Sequence, residues 1–428
     1  MIQHIPDGLL NPERAVNPGL ERTEALLARL GNPEGAFPAV HVAGTNGKGS
    51  VVAFLDSVLR AAGMRVGAYT SPDLGDPTER IRVSGVRVEA SRLAELILEA
   101  VQPVEELDEG PGRPNEFEAL TAAAFAHFAE QGVHVGVVEA GLGGRFDASR
   151  CLANPLLSLI TSVSLDHREI FGPGLGRAAW EKAGVARQGV PLITVEDKPE
   201  VLEVFERECQ EVGAALVKVD PRDVQLVELS WERAMWRSTS DPLQLGSFPT
   251  RMHGVYQGPN LALVNGALAE LVGGMGIARE EIHQGLGEAG WPGRFEVLRR
   301  RPYVVLDAAH NPAAARGLAD TLDLLPSPAG RQTLLFGALR GKLIRAMAEI
   351  LFPRFDRVVL ATPASDRALP GEALAHQARR CARQWDVGGS VGETASALAG
   401  ELREDDALVV CGSLTIVGEA RRVLAEYA

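Results

Sequence analysis

Short runs of β-branched residues alternate with longer alanine- and leucine-rich segments along most of the chain. In the first half, the runs that predict strands are Ala39–Ala43, Val66–Tyr69, Val135–Glu139, Leu157–Val163 and Leu192–Val195. The segments with helical periodicity between them include Ser50–Ala62, Ala90–Ala100 and Phe117–Gln131. This alternation predicts a mostly parallel sheet with helices on both of its faces.

The pattern changes between Gly213 and Met252. In this region the stretches ALVKV, VQLVELSW and AMWRSTS alternate apolar and polar residues, which predicts antiparallel strands or hairpins appended to the main sheet. The glycine- and proline-containing stretch from Ala289 to Phe295 is the best candidate for a domain boundary. Beyond it, YVVLDAAHNP, TLLFGAL, RVVLATP and ALVVCGS each lead into helical sequence. We therefore expect a larger α/β domain at residues 1–290 and a smaller one at 291–428.

Composition agrees with this division and narrows the function. A length of 428 residues favours two domains. The formal charge of −13 argues against broad binding of nucleic acids or anionic membranes, although a local pocket can still bind an anionic substrate. The four cysteines are widely spaced, which indicates reduced thiols in place of a disulfide framework or zinc site. Because the chain shows neither a signal peptide nor an apolar run of about 18 residues, we expect a soluble cytoplasmic protein.

The stretch HVAGTNGKGS, His41 to Ser50, resembles a phosphate-binding loop between a strand and a helix. It departs from the usual pattern at two places, with Val42 where a glycine is expected and Gly49 between Lys48 and the hydroxyl residue. Glycines allow the backbone to aim N–H groups at an anion, and the following helix adds the positive end of its dipole. The candidate ATP ligands in the loop are Gly44, Thr45, Asn46, Gly47, Lys48, Gly49 and Ser50. The alternative is a glycine-rich turn with a solvated lysine.

Further polar residues follow the predicted strands where ligands bind in open parallel sheets. Ser71 follows the second strand, Glu139 ends the third, and Asp166 with His167 follows the fourth. A hydroxyl, a carboxylate and an imidazole beside phosphates could hold Mg²⁺, which needs few protein oxygen ligands. Taken singly, Ser71 is typical of a turn and His167 of a helix cap or packed side chain. As a group, they favour a metal site.

Motifs along nearly the whole chain resemble the folylpolyglutamate synthase/dihydrofolate synthase family, which belongs to the wider Mur-type amide ligases. In order, they are LGNP at Leu30–Pro33, HVAGTNGKGS, TSP at Thr70–Pro72, ERI at Glu79–Ile81, FEALTAAAF, EAGLGGRFDAS, LDH, EKAG at Glu181–Gly184, PGR at Pro292–Arg294 and DAAHNP at Asp307–Pro312. The family's phosphate loop has the same shortened form. The resemblance implies a large N-terminal P-loop domain with a mostly parallel sheet and a smaller C-terminal Rossmann-like α/β domain that ligates glutamate.

The resemblance also implies chemistry. ATP phosphorylates a carboxylate of folate or dihydropteroate, and L-glutamate attacks the acyl phosphate to form an amide. Ser71, Glu139 and His167 match the family's magnesium ligands. Lys182 matches a lysine that is carbamylated in relatives and could bind a second Mg²⁺, although its sequence alone favours an exposed helical lysine. The catalytic set implied is Lys48, Glu139, His167 and Lys182.

Other site residues follow from the resemblance as well. The implied ATP contacts beyond the loop are Asn260 near the adenine, Arg294, Asp307, and His310 near the phosphates; Arg294 could equally be a linker residue in a salt bridge. The implied substrate-side residues are Asp73, Phe117, Glu118, Arg145, Phe146 and Asp147, of which Phe117 could instead belong to the core. The sequence departs from the family at Asp73 and at Tyr256, where histidine is common. Tyr256 could replace a nucleotide contact by stacking.

Two other functions compete with this reading. A Mur-type ligase of a cell-wall nucleotide precursor usually has an extra N-terminal domain, whereas the phosphate loop here begins after about 40 residues. A nucleotide-binding regulatory module would have degraded metal ligands, yet all three are present. We expect a monomer that acts on small molecules, with no nucleic-acid or membrane partner.

Overall fold

A computed structural model describes residues 19–102, 106, 110–164, 172 and 174–427 of the chain. These residues divide into two compact units. The first contains the described chain up to Gln225 together with Arg237–Phe248 and Gly258–Ala289. The second contains Leu226–Trp236, Pro249–Gln257 and Gly290 onwards. The two units are therefore not separated at one point in the sequence, because two short segments before Gly290 belong to the second unit.

The first unit is built on an eight-stranded sheet with the order β4-β3-β2-β5-β1-β6-β7-β8. Its strands are β1 Ala39–Ala43, β2 Val66–Tyr69, β3 Ile81–Val83, β4 Val86–Arg87, β5 Val135–Glu139, β6 Pro155–Ile160, β7 Leu192–Thr194 and β8 Leu216–Lys218. From β2 to β8 every neighbouring pair is parallel, and only β3 and β4 are antiparallel. This confirms the predicted mostly parallel sheet. The carboxyl ends of β2, β5, β1, β6 and β7 consequently meet at one edge.

The helices of this unit form over segments that bury apolar residues. They are α1 Glu21–Arg29, α2 Lys48–Ala61, α3 Ala90–Val101, α4 Glu116–Glu130, α5 Leu175–Ala183, α6 Pro199–Val212, α7 Gln257–Met275 and α8 Arg279–Glu288. Helix α4 begins with a capping box, in which Asn115 and Glu118 bond each other's backbone N–H groups. Its buried rings Phe125 and Phe128 pack edge-on against Phe37. These rings belong to a buried apolar cluster that also contains Ala39 of β1.

The region of changed pattern forms a separate three-stranded sheet with the order β11-β10-β9. Its strands are β9 Val224–Leu229, β10 Ala234–Ser238 and β11 Ser247–Thr250. Ser230 N donates to Arg233 O at 3.0 Å, so β9 and β10 join as a hairpin, as predicted. The prediction was wrong for ALVKV, since β8 from this stretch pairs in parallel with β7. The preceding helix α6 provides the crossover that parallel pairing requires.

The second unit has a six-stranded sheet with the order β12-β13-β17-β14-β15-β16. Its strands are β12 Glu296–Arg300, β13 Tyr303–Leu306, β14 Gln332–Phe336, β15 Arg357–Thr362, β16 Trp385–Ser390 and β17 Ala407–Cys411. All pairs are parallel except β12 with β13. The helices are α9 Pro312–Leu324, α10 Ile344–Leu351, α11 Gly371–Cys381, α12 Val391–Glu401 and α13 Leu414–Leu424. This is the α/β fold expected for the C-terminal region.

Two further predictions from the sequence concern membrane-spanning helices and the cysteines. Within the described part of the chain, no helix is long and apolar enough to cross a membrane. All four cysteines are free thiols, with Cys209 and Cys411 buried and Cys151 and Cys381 partly exposed.

Candidate active site

The predicted phosphate loop lies between the central strand β1 and helix α2, and its glycines are required by close contacts. Gly44 has φ +143°, and a Cβ there would lie 1.8 Å from Thr161 Oγ1. Gly47 has φ +93°, and a Cβ there would lie 2.2 Å from Asn260 Oδ1. Both backbone angles are ones that side chains disfavour. The loop therefore needs glycine at these positions, and the N–H groups of the first turn of α2 face its open end.

Hydrogen bonds fasten the loop to the segment that follows β6. Thr45 N donates to Ser162 O at 2.7 Å, and Asn46 N lies 3.3 Å from Ser162 Oγ. Ser164 N donates to Thr45 Oγ1 at 3.1 Å, and the same hydroxyl lies 3.3 Å from Ser164 O. We call residues 162–164 the clasp. It explains why β6 ends at Ile160, three residues before the predicted end, since the next residues bond to the loop.

Lys48 and Glu139 meet at the open end of the loop. Lys48 Nζ lies 3.6 Å from Glu139 Oε1, and the Glu139 side chain is only 4% exposed. Glu139 Oε2 accepts from Ser71 N at 3.3 Å. Three of the predicted residues, from the ends of β1, β5 and β2, are thus brought together. The arrangement provides one cation and one buried carboxylate beside the anion-binding N–H groups.

Lys182 also reaches the loop. Its side chain is buried, and Nζ lies 3.1 Å from Gly44 O. The interpretation as an exposed helical lysine was therefore wrong, because α5 turns this residue towards the end of β1. The neighbouring Glu181 has a pKa raised by burial, while Arg177 and Arg145 oppose the shift.

The fourth proposed metal ligand cannot be placed. His167 and Asp166 lie outside the described residues, as does most of the segment between 164 and 174. The described chain has no cluster of three or more His, Cys, Asp and Glu side chains that could hold a metal ion. What it does provide is Glu139, a buried carboxylate next to Ser71 and the loop. This donor suits a hard cation that completes its shell with phosphate oxygens and water.

Asn260 belongs to the loop environment. It is buried near the start of α7, with its side-chain oxygen against Gly47. The sequence prediction placed it near the adenine, and its observed neighbour is the phosphate loop itself.

In the second unit, Asp307 lies buried at the end of β13 and accepts three hydrogen bonds. The donors are Tyr256 OH at 2.6 Å, Phe295 N at 3.0 Å and Ala309 N at 2.8 Å. Burial raises the pKa of Asp307, while the bond from Tyr256 and the charge of Arg294 oppose the shift. Tyr256 therefore donates its hydroxyl to a carboxylate, an interaction that the stacking hypothesis did not include.

The other two predicted ATP contacts of this unit are partly exposed. His310 Nδ1 lies 2.9 Å from Ala308 O, next to the N-terminus of α9. Arg294 bonds Gly293 O at 3.4 Å. The next residue, Phe295, donates its backbone N–H to Asp307 at 3.0 Å, which places Arg294 beside this carboxylate in the chain.

Three of the predicted substrate residues hold the protein's own structure. Asp73 forms an ion pair with Arg80 at 2.5 Å. Glu118 completes the capping box of α4 and pairs with Arg22 at 2.7 Å. Phe117 packs beside Tyr69, with ring centroids 5.9 Å apart. These contacts give each residue a local role, whatever else it binds.

The other three predicted substrate residues lie in the GRFDAS stretch. Arg145 forms an ion pair with Glu208 and stacks over the ring of Trp180, 4.0 Å from its centroid. Phe146 is 43% exposed. Asp147 is buried and accepts from Leu142 N at 2.8 Å and from Ser149 N at 3.0 Å. Of these three, Phe146 alone presents an exposed side chain.

Sequence reasoning missed Glu196 and the clasp. Glu196 is buried two residues after the end of β7, and its carboxylate accepts from Val163 N at 2.7 Å. The rule that flagged Ser71 and Glu139, a polar residue at the end of a parallel strand, applies to Glu196 as well. The clasp left no such signal, since it bonds mainly through its backbone.

The chain is similar to known proteins in both sequence and fold. Residues 293–414 match the family model described as Mur ligase, glutamate ligase domain. A dihydrofolate synthase/folylpolyglutamate synthase of Bacillus subtilis is 38% identical over 342 residues, 78% of this chain and 79% of that protein. The structure of Escherichia coli FolC with DHPP and ADP is 29% identical, with a TM-score of 0.83 over 97% of this chain and 95% of that one.

A further solved structure is informative about ligands. A bifunctional folylpolyglutamate synthase/dihydrofolate synthase with Mn, AMPPNP and L-glutamate bound is 30% identical to this chain. Its TM-score is 0.79, over 96% of this chain and 95% of that one. On the identity and coverage of these relatives, the chain belongs to the dihydrofolate synthase/folylpolyglutamate synthase family.

Proposed function

We propose that this protein ligates L-glutamate to the carboxylate of a folate at the expense of ATP, and that it can also convert dihydropteroate to dihydrofolate. The observation that carries the proposal is the meeting of Lys48 and the buried Glu139 at a glycine-built phosphate loop. Glutamate ligation matches the domain found at residues 293–414 and the names of the relatives. A nucleotide and a divalent cation are the expected ligands, as in the related structure that contains Mn and AMPPNP.

The loop residues bind and orient the triphosphate. The N–H groups at the start of α2 and the Lys48 ammonium surround the phosphates and offset their charge. Gly44 and Gly47 let the backbone approach closely, because neither position has room for a Cβ. Lys48 stabilises the charge that develops during transfer mainly by its fixed position.

Glu139, Ser71 and His167 would hold magnesium. When bound, the ion would polarise the transferring phosphoryl group and neutralise part of its charge. The position of Glu139 supports this proposal, since its buried carboxylate lies 3.3 Å from Ser71 N and 3.6 Å from Lys48 Nζ. We further propose that Lys182 is carbamylated, which would turn a buried ammonium into a carboxylate for a second ion. Mass spectrometry of the protein in bicarbonate tests this, since an unmodified mass would contradict it.

Phosphorylation gives the carboxylate a leaving group. The terminal phosphoryl group moves from ATP to a carboxylate oxygen, which yields ADP and an acyl phosphate. The amine nitrogen of glutamate then attacks the acyl carbon, and a C–N bond forms as phosphate leaves and the amine loses a proton. We assign the nucleotide contacts of the second unit to Arg294, Asp307 and His310. An active site that excludes water protects the acyl phosphate from hydrolysis.

An acceptor assay tests the function. ATP turnover that depends on L-glutamate is measured separately with dihydropteroate, tetrahydrofolate and a UDP-muramyl acceptor. Turnover with either of the first two and ligated product by mass spectrometry are expected. Turnover with the muramyl acceptor alone would refute the folate assignment. A monomeric state and a cytoplasmic location stay predictions from the sequence.

A further inference from the structure

Glu196 is a buried carboxylate outside all the site residues named by the sequence. It lies two residues beyond β7, and its side chain is 2% exposed. One oxygen, Oε2, accepts from Val163 N at 2.7 Å. The other, Oε1, accepts from Lys198 Nζ at 2.7 Å and lies 3.2 Å from the N–H groups of Asp197 and Lys198. Every one of these partners is a donor.

Val163 is the middle residue of the clasp. Its two neighbours make the hydrogen bonds to Thr45 and Asn46 of the phosphate loop, while Val163 itself is fully buried. One hydrogen bond, donated by the backbone N–H of Val163 to the Glu196 carboxylate, thus fixes a three-residue segment that is bonded to the phosphate loop through its other two residues. The connection runs from β7 through the clasp to the end of β1.

We propose that Glu196 is a positioning residue that holds the phosphate loop in its nucleotide-binding conformation through residues 162–164. This inference rests on the proposed function, because it assumes that the loop binds ATP. Charged acceptors form stronger hydrogen bonds than neutral ones, and a carboxylate is acceptor-only. Glutamine would fit the same space but would turn an NH₂ group towards a donor on one side. The position therefore requires two acceptor oxygens, which glutamate provides and glutamine does not.

The central test is direct nucleotide binding to Glu196→Gln, measured by calorimetry with ATP and magnesium. We expect the dissociation constant to rise about ten-fold, which corresponds to a weakened charge-assisted hydrogen bond. Lys198→Met is the matched control, because it removes the partly exposed cation on Oε1 and leaves the carboxylate bonded to Val163. Its dissociation constant is expected to stay within about two-fold of the wild-type value.

A double-mutant cycle with Thr45→Val tests the route. Thr45→Val removes the hydroxyl that bonds Ser164 in the clasp. If Glu196 acts through the clasp, the two substitutions together weaken binding by clearly less than the product of their separate effects. Effects that multiply would contradict the proposed route.

Melting temperatures separate positioning from plain structural support. A Glu196→Gln protein that melts earlier yet binds ATP with the wild-type constant at a temperature where it is folded would overturn the inference. So would equal losses of binding in Glu196→Gln and Lys198→Met. The proposed function fails in a different way, namely if the wild-type protein binds no ATP or shows no glutamate-dependent turnover.

Discussion

Lys48 is held at the phosphate loop by contacts that leave its charge available for the proposed nucleotide. Nζ lies 3.5 Å from Thr45 O and 3.6 Å from Glu139 Oε1, and the side chain is 15% exposed. Both neighbours are acceptors, so the ammonium stays between the loop and the proposed metal ligand. A point charge in this position stabilises the transferring phosphoryl group without itself moving a proton.

Lys48→Ala is therefore expected to reduce kcat for glutamate ligation by about 100- to 1,000-fold. The circular dichroism spectrum should remain that of the wild type, because Lys48 lies in the first turn of α2 and alanine is a good helix former. Lys218→Ala, which removes an exposed lysine paired with Glu206, is the matched control and should retain activity. A Lys48→Ala enzyme with substantial turnover would refute the role given to the lysine.

The Tyr256–Asp307 hydrogen bond predicts a pH-dependent change in stability. Tyr256→Phe removes one of three donors to a buried carboxylate, so the pKa of Asp307 should rise further above its ordinary value. A carboxyl group with a raised folded-state pKa lowers stability as the pH increases through that pKa. The variant should therefore be less stable than the wild type by about 1–3 kcal/mol at about pH 8, with a smaller difference at about pH 5.

Urea unfolding at the two pH values measures this difference. Tyr427→Phe is the control, because it removes an exposed hydroxyl that bonds Ser396. A difference in stability that is the same at both pH values would show that the hydroxyl does not act through the charge of Asp307.

At the scale of elements, the apolar runs of the buried parallel strands account for most of what the sequence could predict. The buried valine-rich runs identified β1, β2 and β5 with their observed bounds, because both faces of these strands are covered. Strands β12 and β16 were missed. Both are edge strands, and the sequences EVLRR and WDVGGS lack a continuous apolar run. The residues of both strands are half-buried or exposed, so their hydrophobic pattern is weak.

The site residues, like the strands, include some that the sequence could predict and some that it could not. Ser71 and Glu139 were predictable because they end strands, and strand direction brings such residues together. The burial of Lys182 could not be predicted from the sequence, because it depends on how α5 packs against the end of β1. The networks behind the loop were not predictable either, because Glu196 and the clasp meet only through tertiary contacts.

One such network joins β1 to the GRFDAS stretch and predicts acid sensitivity. His41 Nε2 lies 2.8 Å from Ser149 Oγ, and Ser149 bonds Asp147. Burial lowers the pKa of His41 from 6.5 to about 3. The unfolded chain therefore binds a proton more readily than the folded chain between these values, and stability falls as the pH is lowered. One such group contributes a loss of about 2 kcal/mol between about pH 6.5 and about pH 5.

His41→Gln should remove most of this loss, since its amide nitrogen can take the place of Nε2 without titrating. The measurement is the free energy of unfolding in urea at the two pH values. His376→Gln, which changes an exposed ring, is the control and should leave the pH dependence unchanged. An unchanged pH dependence in His41→Gln would mean that other groups cause the acid sensitivity.

At the scale of the whole molecule, binding and stability are linked, so the loop can be tested without a turnover assay. A ligand that binds only the folded state stabilises the protein by about 2.7 kcal/mol when its free concentration is about 100 times its dissociation constant. ATP with magnesium should therefore raise the melting temperature of the wild-type protein. Gly47→Ala should abolish the shift, because the new Cβ would lie 2.2 Å from Asn260 Oδ1 in a backbone conformation with φ +93°.

Gly273→Ala provides the matched glycine substitution, since no atom lies within 4 Å of the added Cβ in helix α7. It should keep the full ATP-dependent shift and gain about 0.5–1 kcal/mol of stability from the better helix former. The two alanines thus have opposite expected outcomes although the chemical change is the same. If Gly47→Ala also kept the shift, ATP would have to bind away from the loop, and the proposed positions of Lys48 and Glu139 relative to the phosphates would be wrong.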